Sequence, residues 1–329
     1  MRVAIVGAGV MGCAAARSLA RRGHDVTIYE RFEIGHKRGS SHGPTRIYRF
    51  SYPDERYVAM MKEAYTLWRE LEAASQTKIL FETGGLDMGK DLDAHIAAFE
   101  AHDIRYEVLD AHRAAERWPS LTLPEGDVLF QADGGVVHAE RAWDAFAQGA
   151  LAAGARLLET RKIDDLGPDG FVDADVTVVT AGGWAKQLLA TAGIELNVRP
   201  TRETVAYFEI PDIPPTLVDW GDPSVYALHD PVHGVKAGEH IAGPTTDPDE
   251  SGEINDDSIR RLSEWVAVRY RDANATARHA ETCIYTNTPD EHFVLERRGS
   301  VVIGSACSGH GFKFAPLIGA RLADLAESA

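Results

Sequence analysis

The stretch that most constrains this chain is residues 1–30, where an apolar strand runs into a glycine-spaced turn. Arg2-Val3-Ala4-Ile5-Val6 reads as a short buried strand, Gly7-Ala8-Gly9-Val10-Met11-Gly12 as the turn, and residues 13–22 as the helix that leaves it. A second apolar run, Val26-Thr27-Ile28-Tyr29, ends on Glu30. Gly7 permits the turn, Gly9 lets the backbone approach a pyrophosphate, and Gly12 lets helix and strand pack closely. Free N–H groups and the helix dipole favour an anion at that helix start. Glu30 stands where a carboxylate can accept hydrogen bonds from both ribose hydroxyls. Strand, turn, helix and acid together predict a dinucleotide site; glycines kept only for turning and packing are the alternative.

Bulk properties narrow the field. A chain of 329 residues can hold two domains, or one large domain with another inserted. A net charge of −16 argues against nucleic acid or an anionic membrane as partner. No apolar run approaches the ~18 residues needed to span a bilayer, and the start lacks a signal-peptide pattern. Three cysteines form no paired disulfide framework and match no zinc spacing, so no metal is expected. The cytoplasm is the expected compartment.

Periodicity along the chain predicts helices at 57–73, 92–102, 140–153, 185–191, 257–270 and 316–327. Strands are expected at 79–81 and 84–88, joined at a glycine turn, and at 127–130, 155–158, 174–180 and 300–306. Residues 199–210 and 225–238 are also strand-rich. The expected architecture is α/β, with a cofactor domain assembled from 1–75, 135–198 and 283–329. The substrate domain, 76–134 and 199–282, is threaded through it.

Several clusters carry chemistry. Arg46 and Arg49 follow Ser40-Ser41-His42 in an otherwise acidic protein; arginine forks pair with carboxylates or phosphates, and solvated surface arginines are the alternative. Lys236, in Gly234-Val235-Lys236-Ala237-Gly238-Glu239-His240, can stabilise negative charge developing in a site. By itself that stretch fits a solvent-facing strand better. Strand alternation puts Cys283 and Tyr285 of Glu281-Thr282-Cys283-Ile284-Tyr285 on one face, where a thiolate could add to an electrophile or lie inert. In Cys307-Ser308-Gly309-His310-Gly311-Phe312-Lys313-Phe314, glycines around His310 suggest close passage to a ligand, and Lys313 between phenylalanines suits an anion in a pocket.

Taken in this order, the clusters resemble the monomeric sarcosine oxidase and N-methyltryptophan oxidase family of FAD-dependent amine oxidases, over nearly the whole chain. The resemblance implies FAD in a Rossmann-type domain beside an antiparallel-sheet substrate domain. It implies FAD attached covalently through Cys283, and Lys236 as the oxygen-activating lysine with His240 beside it. Arg49 and Lys313 would hold the substrate carboxylate, and Tyr285 and Tyr226 would line the cavity, Tyr226 only with a one-residue gap. His42 and Arg46 would pack beside the flavin. Gly7, Gly9, Gly12, Glu30, Arg31, Ser41, Ala181, Gly182, Trp184, Gly309, Gly311 and Phe312 complete the expected cofactor shell. Cys307 stands where phenylalanine is more usual and is read as packing, as is Cys13. The chain is shorter than typical members, which leaves the substrate's identity open.

The expected reaction is oxidation of the C–N bond of an amino acid, N-methyl amino acid or cyclic amino acid to an imine, with oxygen reduced to hydrogen peroxide, by a monomer. A dehydrogenase serving another acceptor, a nicotinamide enzyme and a non-catalytic FAD subunit are the alternatives.

Overall fold

The structure, a computed structural model, describes residues 1–90, 92–167, 169–171 and 173–328. The opening strand, Arg2–Val6, lies at the centre of a six-stranded sheet. It pairs in parallel with Asp25–Tyr29 on one side and Val176–Val179 on the other. Parallel partners Arg156–Leu158 and Val301–Ser305 extend the sheet, and antiparallel Val294–Arg298 closes one edge. Strands buried on both faces read as continuous apolar runs, which is why they were legible. The helix Val10–Arg21 packs between Ala139–Ala152 and Ala315–Glu327. Small residues allow this approach: a Cβ on Gly319 would lie 2.6 Å from the Ala14 backbone.

A second sheet has eight strands in the order Asn274–Asn287, Arg199–Glu209, Gly234–Glu239, Val225–Asp230, Thr216–Trp220, Gly85–Gly89, Asp127–Gln131 and Glu107–Asp110. The expectation of an antiparallel sheet needs one correction. Thr216–Trp220 runs parallel to Gly85–Gly89, because these strands come from distant pieces of chain and no hairpin sets their direction. The strand Asn274–Asn287 is also continuous through the expected boundary at 282/283. Leu80–Phe81 does not pair with Gly85–Gly89 across its glycine turn. It joins a separate three-stranded sheet with Gly135–His138 and Thr45–Tyr48, while Gly84, at φ +79°, redirects the chain.

Register divides the eight-stranded sheet into two faces. Leu217, Ala227, Ala237 and Ala206 are directly paired neighbours, and their face packs on the helix Asp256–Arg269 through Leu262 and Val266. The alternate positions are Val218, Tyr226, Gly238, Val205 and Glu281, with Leu228, Lys236 and Tyr207 one row away. Side chains alternate across a strand, so the apolar core on one face obliges these residues to share the other. That second face looks toward the first sheet, across a cavity.

The first turn leaves no room for a side chain at Gly12, where a Cβ would lie 1.9 Å from the Gly7 carbonyl oxygen and 2.7 Å from Thr180 Oγ1. Gly12→Ala is therefore expected to destabilise the protein by about 1–3 kcal/mol, as overpacking does. Denaturant unfolding of the variant beside wild type, read as a midpoint shift at constant slope, checks this.

Candidate active site

The cavity between the two sheets has a volume of about 880 Å³. One end is built by the carboxyl ends of the parallel strands, the usual place for a ligand in such a sheet. Gly7, at φ +103°, turns the chain so that Gly9 caps the first helix with no side-chain hydrogen bond of its own. Ser41 Oγ accepts the Val10 N–H at 3.0 Å, so its oxygen engages the helix start itself. Glu30, 6% exposed, accepts the Ala8 N–H at 2.8 Å and the Phe32 N–H at 2.9 Å, with His36 at 3.4 Å. Burial opposes ionisation of Glu30, but hydrogen bonds from His36, Phe32 and Ala8 outweigh it and hold the carboxyl below its ordinary range. Arg31 and Trp184 both reach Asp249 Oδ1 at 2.6 Å. They join the 181–184 turn to a loop following the eight-stranded sheet and close this end of the cavity.

The middle of the cavity gathers the cations. Lys236 is 5% exposed, so the solvent-facing reading of its strand is wrong: register with Tyr207 and Leu228 turns it inward. Burial first, then the charge of Arg46, lower its pKa to about 8. Glu281 Oε1 lies 4.0 Å from Lys236 Nζ and accepts the Tyr207 hydroxyl. Arg46 is not a solvated surface arginine either. It donates to the carbonyls of Thr45 at 2.7 Å, Ser40 at 2.8 Å and His42 at 2.6 Å, and its guanidinium lies over the Phe312 ring. Both ring nitrogens of His42 are buried without a hydrogen-bond partner among the described residues; burial and Arg46 lower its pKa to about 4, leaving it neutral. Cys283 lines this region, its thiol pushed up to about 11 by burial against the lowering influence of Arg46 and Lys236. Cys307 also lines the cavity, and its sulfur accepts the Thr286 N–H at 3.3 Å. Cys13 is buried away from the cavity lining and donates to the Ala8 carbonyl.

The far end holds Arg49 and Lys313, which meet across Tyr52. The Arg49 guanidinium lies 4.5 Å from the Tyr52 ring centroid and 4.9 Å from that of Trp220, an aromatic sandwich that orients its fork. Lys313 Nζ donates to the Tyr52 hydroxyl at 3.0 Å and to the His310 carbonyl at 2.9 Å. Asp87, 2% exposed, lies 3.7 Å from Arg49 and accepts the Trp220 indole N–H at 3.0 Å. The hydroxyls of Tyr226 and Tyr285 lie 3.4 Å apart, and His240 contacts Glu291 at 3.2 Å. Gly309 is required here, since a Cβ would fall 2.4 Å from the Tyr285 ring and 2.8 Å from that of His240. A Cβ on Gly311 would meet the Ala306 carbonyl at 1.9 Å.

The structure thus brings all the expected site residues except Gly12 to one cavity, with Gly12 in the packing beneath it. Sequence reasoning missed Glu281, Tyr52, His310, Trp220 and Asp87. Alternation from Cys283 would have placed Glu281 on the same face. His310 was visible in its glycine setting, although its role was not. Asp87 and Trp220 meet across 133 positions of sequence and carried no local signal.

Comparison with known proteins gives one consistent result. The sequence profile of the family described as FAD dependent oxidoreductase matches residues 2–325. A monomeric sarcosine oxidase of Bacillus sp. (strain B-0618) is 32% identical, over 98% of this chain and 91% of that protein. A probable sarcosine oxidase of Arabidopsis thaliana is also 32% identical, over 98% of this chain and 87% of its own length. Among solved structures, NikD, an amino acid oxidase of nikkomycin biosynthesis, superposes with a TM-score of 0.87 at 26% identity, covering 99% of this chain and 93% of that one. No described helix is long and apolar enough to cross a membrane, and no group of three or more His, Cys, Asp or Glu among the described residues could hold a metal ion.

Glu30→Gln is expected to cost about 1–3 kcal/mol of stability at pH 7, since Gln keeps an acceptor but loses the charge. A carboxylate with a depressed folded pKa stabilises above its unfolded value, near 4.5, and loses that advantage as pH falls through the folded value. The gap between variant and wild type should therefore narrow below pH 4. Chemical denaturation at pH 7 and pH 3.5 measures it.

Proposed function

The chain belongs to the FAD dependent oxidoreductase family, and from that premise we propose that it is an oxidase of the C–N bond of an amino acid, N-methyl amino acid or cyclic amino acid. Oxygen is the acceptor, and an imine and hydrogen peroxide are the products. The observation that carries this reading is the cavity's division of labour. The helix start beside Ser41 and the Glu30 carboxylate occupy one end, Lys236 and Cys283 the middle, and two buried basic side chains, Arg49 and Lys313, meeting on Tyr52 the other.

These residues fit FAD. The helix start suits the pyrophosphate and Glu30 the ribose. His42, with two unpartnered buried ring nitrogens, faces the space a ring system would fill. When bound, FAD supplies the two-electron acceptor and returns the electrons to oxygen.

The protein's own residues supply position and charge. Arg49, held by its aromatic sandwich, and Lys313 bind the substrate carboxylate and thereby fix where the amine lies, a contribution of orientation. Tyr226, Tyr285 and His240 wall the same pocket. Lys236 places a positive charge beside Cys283, where negative charge on reduced oxygen needs stabilising. The same reading includes a covalent bond from Cys283 to the flavin, a monomeric cytoplasmic protein, and the division into cofactor and substrate domains. Relatives named monomeric sarcosine oxidase support the monomer.

Arg49→Ala is expected to raise KM for an amino acid about ten- to hundredfold, the cost of a charged hydrogen-bonded contact, with a smaller change in kcat. Steady-state peroxide assays over a panel of sarcosine, proline and pipecolate test this and the substrate class together; no peroxide from any of them would overturn the oxidase reading. Lys236→Met is expected to slow flavin reoxidation about a hundredfold while leaving reduction nearly unchanged. In wild type the reoxidation rate should fall as pH rises through about 8, where Lys236 loses its proton. Stopped-flow absorbance resolves the two half-reactions. Acid precipitation completes the set: yellow colour should stay with the peptide holding Cys283 and be released from Cys283→Ser.

A further inference from the structure

The cavity's cations are not compensated alike. Lys236 has Glu281 at 4.0 Å and Arg49 has Asp87 at 3.7 Å. Lys313, 6% exposed, has no carboxylate within 4.0 Å among the described residues. Among the described residues its hydrogen bonds are two, both to neutral acceptors: the Tyr52 hydroxyl and the His310 carbonyl. An ammonium carries three N–H donors, whereas a neutral amine has two donors and a lone pair. The surroundings match the amine, and a third N–H would find no partner among the described residues.

Every group facing Lys313 points the same way. Arg49, sharing the Tyr52 ring with it, is a fixed positive charge. Tyr52 and Tyr57 are held as neutral phenols by burial. His310 accepts from Tyr52 through Nδ1 at 3.2 Å and donates through Nε2 to the Glu291 carbonyl at 3.0 Å; burial first, with the fixed charge of Arg49, keeps it neutral. Asp87 is engaged with Arg49 and Trp220, and the Glu291 carboxylate with His240. A buried cation beside another cation, with no counter-ion, favours giving up its proton.

Resting on the carboxylate clamp proposed above, we propose that Lys313 awaits substrate as a neutral amine and takes up one proton when a carboxylate binds, so that a zwitterionic amino acid supplies that proton from its own ammonium group. An N–H bond of the substrate ammonium breaks and an N–H bond to Lys313 Nζ forms. The electron pair of the broken bond stays on the substrate nitrogen, where oxidation of the C–N bond requires it. No electrons pass to or from the protein in this step. Carboxylate capture and amine activation thereby become one event, with no proton exchanged with solvent.

The experiment uses the FAD-loaded wild-type protein in weakly buffered solution at pH 7.5, with phenol red as indicator and the flavin absorption band reporting binding. Acetate, a carboxylate without an amine, should bind with uptake of about one proton per site. Its affinity should weaken about tenfold per pH unit between pH 7 and 9. 2-Aminoisobutyrate, an amino acid with no hydrogen on the carbon beside nitrogen, should bind with no net uptake. Calorimetry in phosphate and in Tris gives an independent proton count. Lys313→Arg, whose charge is fixed, should bind acetate with no uptake. Acetate binding to wild type without proton uptake overturns the proposal and leaves the clamp standing. Failure of both carboxylates to bind overturns the clamp and the proposal with it.

Discussion

Parallel pairing of Arg2–Val6 with Asp25–Tyr29 and Val176–Val179 is the constraint on which the rest of this molecule depends. Parallel neighbours end at the same edge, so the turns after them must open side by side. The Gly7–Gly12 turn, the Glu30 carboxylate, the 181–184 turn and the loop after Val301–Ser305 are therefore neighbours although the chain scatters them. Close packing of Gly12 against Gly7 and Thr180 holds that edge together, and Thr180 Oγ1 ties the two strands by donating to the Val6 and Gly7 carbonyls.

The second sheet completes the site by having one face to spare. Its apolar face is used on the helix Asp256–Arg269, and the other turns ionisable side chains toward the cavity. Such groups are tolerated because most are paired: Lys236 with Glu281, Arg49 with Asp87, Arg46 with three carbonyls. Pairing also differentiates them. Lys236 keeps a counter-ion and with it a charge at neutral pH, whereas Lys313 has only neutral acceptors beside it.

What was legible in the sequence follows from the range of the physics. The glycine turn, the strand before it and Glu30 are local, and each residue's role follows from backbone geometry within 30 positions. Alternation sufficed to set Cys283 and Tyr285 on one face, and small-residue turns marked 181–184 and 309–311. The mixed direction of the second sheet was not legible, because Gly85–Gly89 and Thr216–Trp220 pair without a hairpin between them. The neighbouring glycine turn misled in the same way, since Leu80–Phe81 leaves for a third sheet.

Lys236 shows the division most plainly. By itself its strand suggested a residue facing water, and only register with Tyr207 and Leu228 turns it toward the cavity. The sequence by itself determined the nucleotide cradle, the family and the residue types available for chemistry, since these rest on short spacings. Tertiary structure alone decided which charges are buried, which are compensated, and that Arg49, Tyr52, Trp220 and Lys313 share one end of one cavity with Asp87 behind them. Burial and pairing arise between segments tens to hundreds of residues apart, and no local pattern encodes them.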